Sequence, residues 1–161
     1  MISKGQKIPS VTIKQATAEG GSDVDPAALF AGKKVVMFSL PGAFTPTCSQ
    51  KHLPSYLAKL PELKAAGVDM VACLSVNDFF VMKAWAEQHD ALGKIVMLAD
   101  GSGAFTKALG IELDLTSRGL GVRADRGVFT IDNGVVTSVQ MEAPGQFDVS
   151  SAESCLIGLK K

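Results

Sequence analysis

Nowhere does an apolar run in this chain approach the ~18–20 residues that a membrane-spanning helix requires, so no membrane is expected as a partner. The opening stretch, Met1-Ile2-Ser3-Lys4-Gly5-Gln6-Lys7-Ile8-Pro9, has no apolar segment of the kind a secretory leader carries and is not Arg-rich like a transit peptide. The expected location is cytoplasmic. Net charge is missing as well: 16 basic residues balance 16 acidic ones, which removes the electrostatic case for a nucleic acid or an anionic surface. A small uncharged substrate fits this balance better than a polyanion. Cysteine is sparse, with Cys48, Cys73 and Cys155 at wide spacings, and the odd count argues against a disulfide framework. Because no CxxC pair occurs, a zinc ribbon and a thioredoxin-type dithiol both lose support, and no metal is expected. Internal repeats, low-complexity tracts and long linkers are also absent, so residues 1–161 read as one domain, long enough for a full core.

What is present is an alternation of strand-like and helix-like runs. Val11-Thr12-Ile13-Lys14 alternates apolar and polar, predicting a short edge or hairpin strand, and Gly20 to Pro26 reads as turn chemistry. Asp25 is placed to cap a short turn, Pro26 to Phe30, that Gly32 would end. Lys34 to Leu40 is apolar without alternation, as a strand buried on both faces would be. Pro46 to Ala65 predicts a helix kinked or broken by Pro54 and Pro61. A buried strand follows at Val68 to Val76, then a helix capped by Asn77 or Asp78 and running to about Asp90. Ile95 to Asp100 predicts a third buried strand and Ala104 to Leu109 a short helix, while Asp114 to Arg118 reads as irregular. Gly127 to Ile131 and Val135 to Met141 flank Asp132-Asn133-Gly134, a hairpin signal. Ser150 or Ser151 would cap a last helix ending near Leu159. This order predicts an α/β fold with a mixed central sheet, helices on both faces and an N-terminal extension.

Cys48 closes the segment Pro41-Gly42-Ala43-Phe44-Thr45-Pro46-Thr47-Cys48, between a buried strand and a helix. Backbone N–H groups in a first helical turn have no helical partner, and the partial positive charge there favours a thiolate. A lone cysteine is most often a small buried hydrophobe. Here the junction and the Thr45 hydroxyl three residues earlier point instead to a working thiol. A cysteine that reduces a peroxide must be a thiolate, must have donors for the departing oxygen, and must hold its sulfenic acid until a thiol reduces it. Thr45 can orient the peroxide, Pro41 and Pro46 stiffen the loop, and an arginine would complete the pocket.

The run PGAFTPTCS contains P-x-x-x-T-x-x-C, and with SQKHLP, VACLSVNDFFVMKAW and LGVRADRGVFTIDNG it resembles the type II, peroxiredoxin-five-like, peroxiredoxins over nearly the whole chain. The resemblance implies a thioredoxin-like fold and a thiol peroxidase without metal or organic cofactor. It would reduce hydrogen peroxide and small alkyl hydroperoxides in antioxidant defence. It implies Cys48 as the peroxidatic cysteine, with Thr45 and Pro41 as the active-site threonine and proline. The family's arginine opens the strand that ends at the turn glycine, and counting back from Gly134 selects Arg126 over Arg123. Some relatives carry a resolving cysteine at about the position of Ser150. Its absence here implies recycling by an external thiol, either glutaredoxin with glutathione or thioredoxin. The family also forms homodimers through an apolar rim, for which Phe44 and Phe79 are the candidates.

Other readings stand beside these. Cys73, inside an apolar strand, and Cys155, on the last helix, read as packed thiols, each with a resolving role as its alternative. His52, four residues after Cys48, would share its helical face, so a Cys/His hydrolase is a second enzyme class, beside a second-position or capping histidine. A non-enzymatic alternative is a peroxide sensor that passes the Cys48 oxidation to a partner. Asp100-Gly-Ser-Gly and Gly119-Leu-Gly lack phosphate-loop spacing and read as turns.

Overall fold

The chain enters through a hairpin in which Ile13–Thr17 (β1) pairs antiparallel with Gly20–Val24 (β2). The computed structural model that shows this describes residues 1–159. The turn predicted over Gly20 to Pro26 is therefore a strand, and the strand predicted at Val11 to Lys14 lies further along the chain. Local chemistry favours a turn at Gly20-Gly21-Ser22-Asp23, but the ladder to β1 overrides it. The ring of Phe79 covers Gly21 so closely that a Cβ there would fall 2.5 Å from the ring. Asp25 then caps Pro26–Leu29 (α1) by accepting from the Ala27 amide at 3.0 Å, as expected.

Lys34–Ser39 (β3) is the central strand. Its side chains alternate between two apolar layers: Val36, Phe38 and the following Leu40 enter one, Val35 and Met37 the other. Beyond the Pro41 loop the helix opens with a wide π-helical turn, Cys48–His52, that runs into Leu53–Ala58 (α2), followed by Leu60–Ala65 (α3). The break expected at the prolines falls at Lys59 instead, because Pro54 and Pro61 each sit in the first positions of α2 and α3. No amide donor is required there. The wide turn admits Pro54: the Leu53 amide reaches back five residues to the Cys48 carbonyl, which relieves the clash a proline ring makes in a tighter turn.

Met70–Ser75 (β4) is followed by Phe79–Gln88 (α4), capped by Asp78, whose carboxylate accepts from the Val81 amide at 2.8 Å. Val96–Ala99 (β5) and Ala104–Leu109 (α5) come next. The segment predicted as irregular contains a ribbon: Glu112–Leu115 (β6) turns through a short 3-10 segment and pairs with Gly121–Ala124 (β7). Gly127–Asp132 (β8) and Val135–Met141 (β9) form the expected hairpin, and Ala152–Leu159 (α6) closes the chain. Ser151 caps α6, its hydroxyl accepting from the Ser154 amide at 3.2 Å.

The main sheet has the order β2-β1-β5-β4-β3-β8-β9, with β3, β4 and β5 parallel and the remaining pairs antiparallel. It is the mixed sheet that the element order predicts. Residues from α2, α4 and α6 pack on one face and those of α5, with Phe30 after α1, on the other. Cys48 belongs to the first layer, at the C-terminal end of β3.

Candidate active site

The geometry around Cys48 begins with the backbone. The Thr45 carbonyl accepts from the Ser49 amide at 3.0 Å, so Cys48 lies in the first turn of the helix, where amides lack helical partners. The loop before it is tightly cross-tied. Thr45 donates its hydroxyl to the Gly42 carbonyl at 2.6 Å, which leaves its oxygen lone pairs as acceptors. The Ala43 amide donates to Asn77 Oδ1 at 3.0 Å, and the Ser75 hydroxyl donates to the same oxygen at 2.6 Å. These bonds tie the loop to the end of β4. Phe44 occupies the left-handed region with φ of 65°, a strained position for an aromatic residue, and its side chain is 51% exposed.

Arg126 arrives from the other side of the sheet's end, immediately before β8. Its amide donates to Asp125 Oδ1 at 2.8 Å and its carbonyl accepts from the Glu142 amide at 2.9 Å. The Ser39 hydroxyl donates to the Asp125 carbonyl at 2.7 Å, locking this corner to the end of β3. From there the guanidinium reaches Cys48, with Nη2 donating to Sγ at 3.0 Å across 78 residues of sequence. Arg123 lies elsewhere. Its Nε donates to the Leu120 carbonyl at 2.8 Å and its Nη1 to the Pro41 carbonyl at 3.4 Å, so it braces the proline loop. It fills the space that a side chain at Gly42 would need, since a Cβ there would fall 2.9 Å from Nη1.

The structure thus brings Cys48, Arg126, Thr45 and the Pro41 loop to one end of β3, and keeps Cys73 and Cys155 in the interior. All three cysteines are free and buried. Cys73 pairs with Phe38 in the β3–β4 register, and burial pushes its thiol well above the ordinary range, with a smaller contribution from Cys48. Cys155 lies on the buried face of α6 beside Thr130 and Tyr56, and burial raises its thiol to about 11 against the lowering effect of those two neighbours. Phe79 packs inside its own chain against Gly21, whereas the adjacent Phe80 is 71% exposed. Phe79 is partly buried, and Phe80 joins Phe44 among the exposed aromatic residues.

His52 is the residue whose role sequence reasoning weighs least accurately. It is fully buried, its Nδ1 lies 2.9 Å from Arg126 Nη1 and its Nε2 lies 3.1 Å from the Ser150 carbonyl. Burial, and then the charge of Arg126, lower its pKa to about 3. Both ring nitrogens are committed and the ring is a poor base, which contradicts the Cys48/His52 hydrolase. The supporting groups carry no sequence signal. The Tyr56 hydroxyl donates to the Ser150 carbonyl at 2.7 Å, and the Glu142 carboxylate accepts from the amides of Asp148, Val149 and Ser150 at 2.8, 3.2 and 2.8 Å. Among the described residues, no group of three or more His, Cys, Asp or Glu side chains is placed to hold a metal, and no helix is long and apolar enough to cross a membrane.

Comparison with known proteins finds relatives of this chain. The Redoxin family model matches residues 3–156. Peroxiredoxin-2B of Arabidopsis thaliana is 51% identical over 132 residues, covering 82% of each chain. Chloroplastic peroxiredoxin-2E of the same plant is 46% identical over 162 residues, covering 98% of this chain and 69% of the relative. Among solved structures, reduced Prx3 from Vibrio vulnificus in complex with hydrogen peroxide superposes with a TM-score of 0.94 at 53% identity, covering 99% of both chains.

Proposed function

We infer the reaction cycle from a plain premise: this chain belongs to the peroxiredoxins of the thioredoxin-like superfamily, thiol peroxidases of antioxidant defence. In the proposed cycle the Cys48 sulfur attacks one oxygen of a hydroperoxide. The S–O bond forms as the O–O bond breaks, the sulfur loses two electrons to the peroxide, and the departing oxygen leaves as water or an alcohol after taking a proton. Cys48 becomes a sulfenic acid. One external thiol condenses with it, releasing water and forming a mixed disulfide, and a second thiol restores Cys48.

The contact that carries this assignment is Arg126 Nη2 to Cys48 Sγ at 3.0 Å. A guanidinium donor aimed at sulfur favours negative charge there, and the same fork is placed to meet the charge that develops on the oxygen. Thr45, its proton already given to the Gly42 carbonyl, offers lone pairs to a peroxide O–H. Pro41 shapes the wall of the pocket, and the cycle requires no metal or organic cofactor. The substrates proposed are hydrogen peroxide and small alkyl hydroperoxides. Support comes from the complete burial of Cys48 and from the hydrogen peroxide complex of the Vibrio vulnificus relative.

Glutaredoxin with glutathione, or thioredoxin, is the proposed reductant. Cys73 and Cys155 are buried with raised pKa, which makes both poor attacking thiols, and residue 150 is a serine. A reducing cytoplasm suits three free thiols in a single domain, and the exposed Phe44 and Phe80 suit a homodimer interface. The test is one equivalent of peroxide followed by mass spectrometry, with glutathione, glutaredoxin or thioredoxin supplied in turn. One added oxygen on Cys48, lost on adding a thiol donor with repeated turnover, is expected, and Cys48→Ser abolishes consumption. A Cys48–Cys73 or Cys48–Cys155 disulfide would overturn the external reductant. A single oxidation with no recycling would mark the protein as a sensor.

A further inference from the structure

The Arg126 guanidinium forms no ion pair with a carboxylate among the described residues, the neighbouring Asp125 carboxylate accepting from its backbone amide instead. Its side-chain contacts are Cys48 Sγ and one imidazole nitrogen, His52 Nδ1. An arginine always donates, so Nδ1 accepts. His52 is then the neutral tautomer with its proton on Nε2, which donates to the Ser150 carbonyl. That carbonyl is fixed in its turn, because Tyr56 donates to it and the loop bearing it is clamped on the Glu142 carboxylate. Ser150 adds its hydroxyl to the same carboxylate at 2.6 Å. The backbone of the clamp returns to the arginine, since the Glu142 amide donates to the Arg126 carbonyl.

A guanidinium is a planar fork, so fixing one terminal nitrogen fixes the direction of the other. A carboxylate in the place of His52 would hold the fork equally well but would cancel the charge that the sulfur and the leaving oxygen need. A neutral acceptor aims the fork and leaves the charge intact. We propose that His52 is a positioning residue of the peroxidase reaction: its Nδ1 lone pair turns Arg126 toward Cys48, and the Ser150 carbonyl decides which ring nitrogen is free to do so. The inference rests on the assignment of Arg126 to the reaction given above.

Two variants separate the ring nitrogens. In His52→Asn the side-chain oxygen falls where Nδ1 lies, so the acceptor for Arg126 survives. In His52→Gln the amide falls where Nε2 lies, so the Ser150 contact survives and the acceptor is lost. The rate of Cys48 oxidation by hydrogen peroxide should fall on the order of 10²-fold in His52→Gln, the size expected of a misaimed catalytic group. In His52→Asn it should stay within about tenfold of the parent, the scale of one ordinary hydrogen bond. Alkylation of Cys48 by iodoacetamide, which needs no aimed donor for a leaving oxygen, should change far less than peroxide oxidation in either variant. Parent-like peroxide rates in His52→Gln, equal losses in the two variants, or a matching loss of alkylation would each overturn the proposal. If Arg126→Ala oxidises at the parent rate, the underlying assignment fails instead; if it is slow while His52→Gln is fast, only the positioning role fails. Nitrogen NMR of the parent protein reads the same point without a variant: Nε2 should be protonated and Nδ1 bare, and a proton on Nδ1 would overturn it.

Discussion

Cys48 and Cys73 are buried to the same degree and pack into the same apolar layer, but differ in their place in the fold and in what faces them. Cys73 lies mid-strand with Phe38 across the ladder, and burial there disfavours its charged form. Cys48 lies where strand gives way to helix, in the first helical turn, with a guanidinium donor at 3.0 Å from its sulfur. Burial alone therefore does not sort inert thiols from working ones. What sorts them is whether the fold supplies donors to replace the water that burial removes.

The contrast breaks most visibly at Arg126. Arg126→Ala should lower the rate of peroxide reduction on the order of 10²-fold or more, the scale seen when an oxyanion-type donor is removed. Arg123→Ala, which loosens the Pro41 loop but touches no sulfur, should cost much less. A steady-state peroxide assay on both variants checks this, and the reverse ranking would transfer the role to Arg123. At Cys73 the expected effect is on stability. Cys73→Ser buries a hydroxyl in an apolar strand and should cost about 1–3 kcal/mol in denaturant unfolding, while peroxide turnover persists. Loss of turnover with an intact fold would assign Cys73 a redox role.

The last effect concerns pH, is spread over several pH units, and compares the two kinds of buried group directly. The burial that raises the Cys73 thiol also holds His52 neutral, with a pKa of about 3 in the fold against 6.5 ordinarily. Below about 6.5 the unfolded chain takes up a proton that the folded chain refuses until about 3. The His52 contribution to stability is therefore fully present above that window and is lost as pH falls through it, by at most about 1.4 kcal/mol per pH unit. Urea unfolding of the parent and of His52→Gln across this range should show the shallower acid slope in the variant.

The proposed nucleophile and its loop could be picked out in the sequence because they are local. A strand, a turn and a helix start lie within a few residues of Cys48, and the family resemblance supplied Arg126. The sheet was legible for the same reason, since β3, β4, β5, β8 and β9 each carry their own apolar run. What escaped depends on contacts between distant residues. β2 looks like a turn because Gly20-Gly21-Ser22-Asp23 gains strand character only from β1 and from the Phe79 ring. β6 and β7 pair only with each other and expose alternate residues, a weak pattern in so short a run. The part played by His52 needs Arg126 and the Ser150 carbonyl, 74 and 98 residues away in sequence. No spacing rule joins Glu142 to that set.

The wide turn at Cys48–His52 also carries Ser49, whose hydroxyl accepts from the indole nitrogen of Trp85 at 3.0 Å. Trp85 is the sole tryptophan of the chain and is fully buried. Its emission answers to the local field, and Cys48, the proposed nucleophile, is the residue next to its hydrogen-bond partner. The molecule thus carries an optical gauge of the proposed cycle: the thiolate, sulfenic acid and mixed disulfide proposed for Cys48 would present that indole with different fields, and the cycle would then be watched in real time without a label.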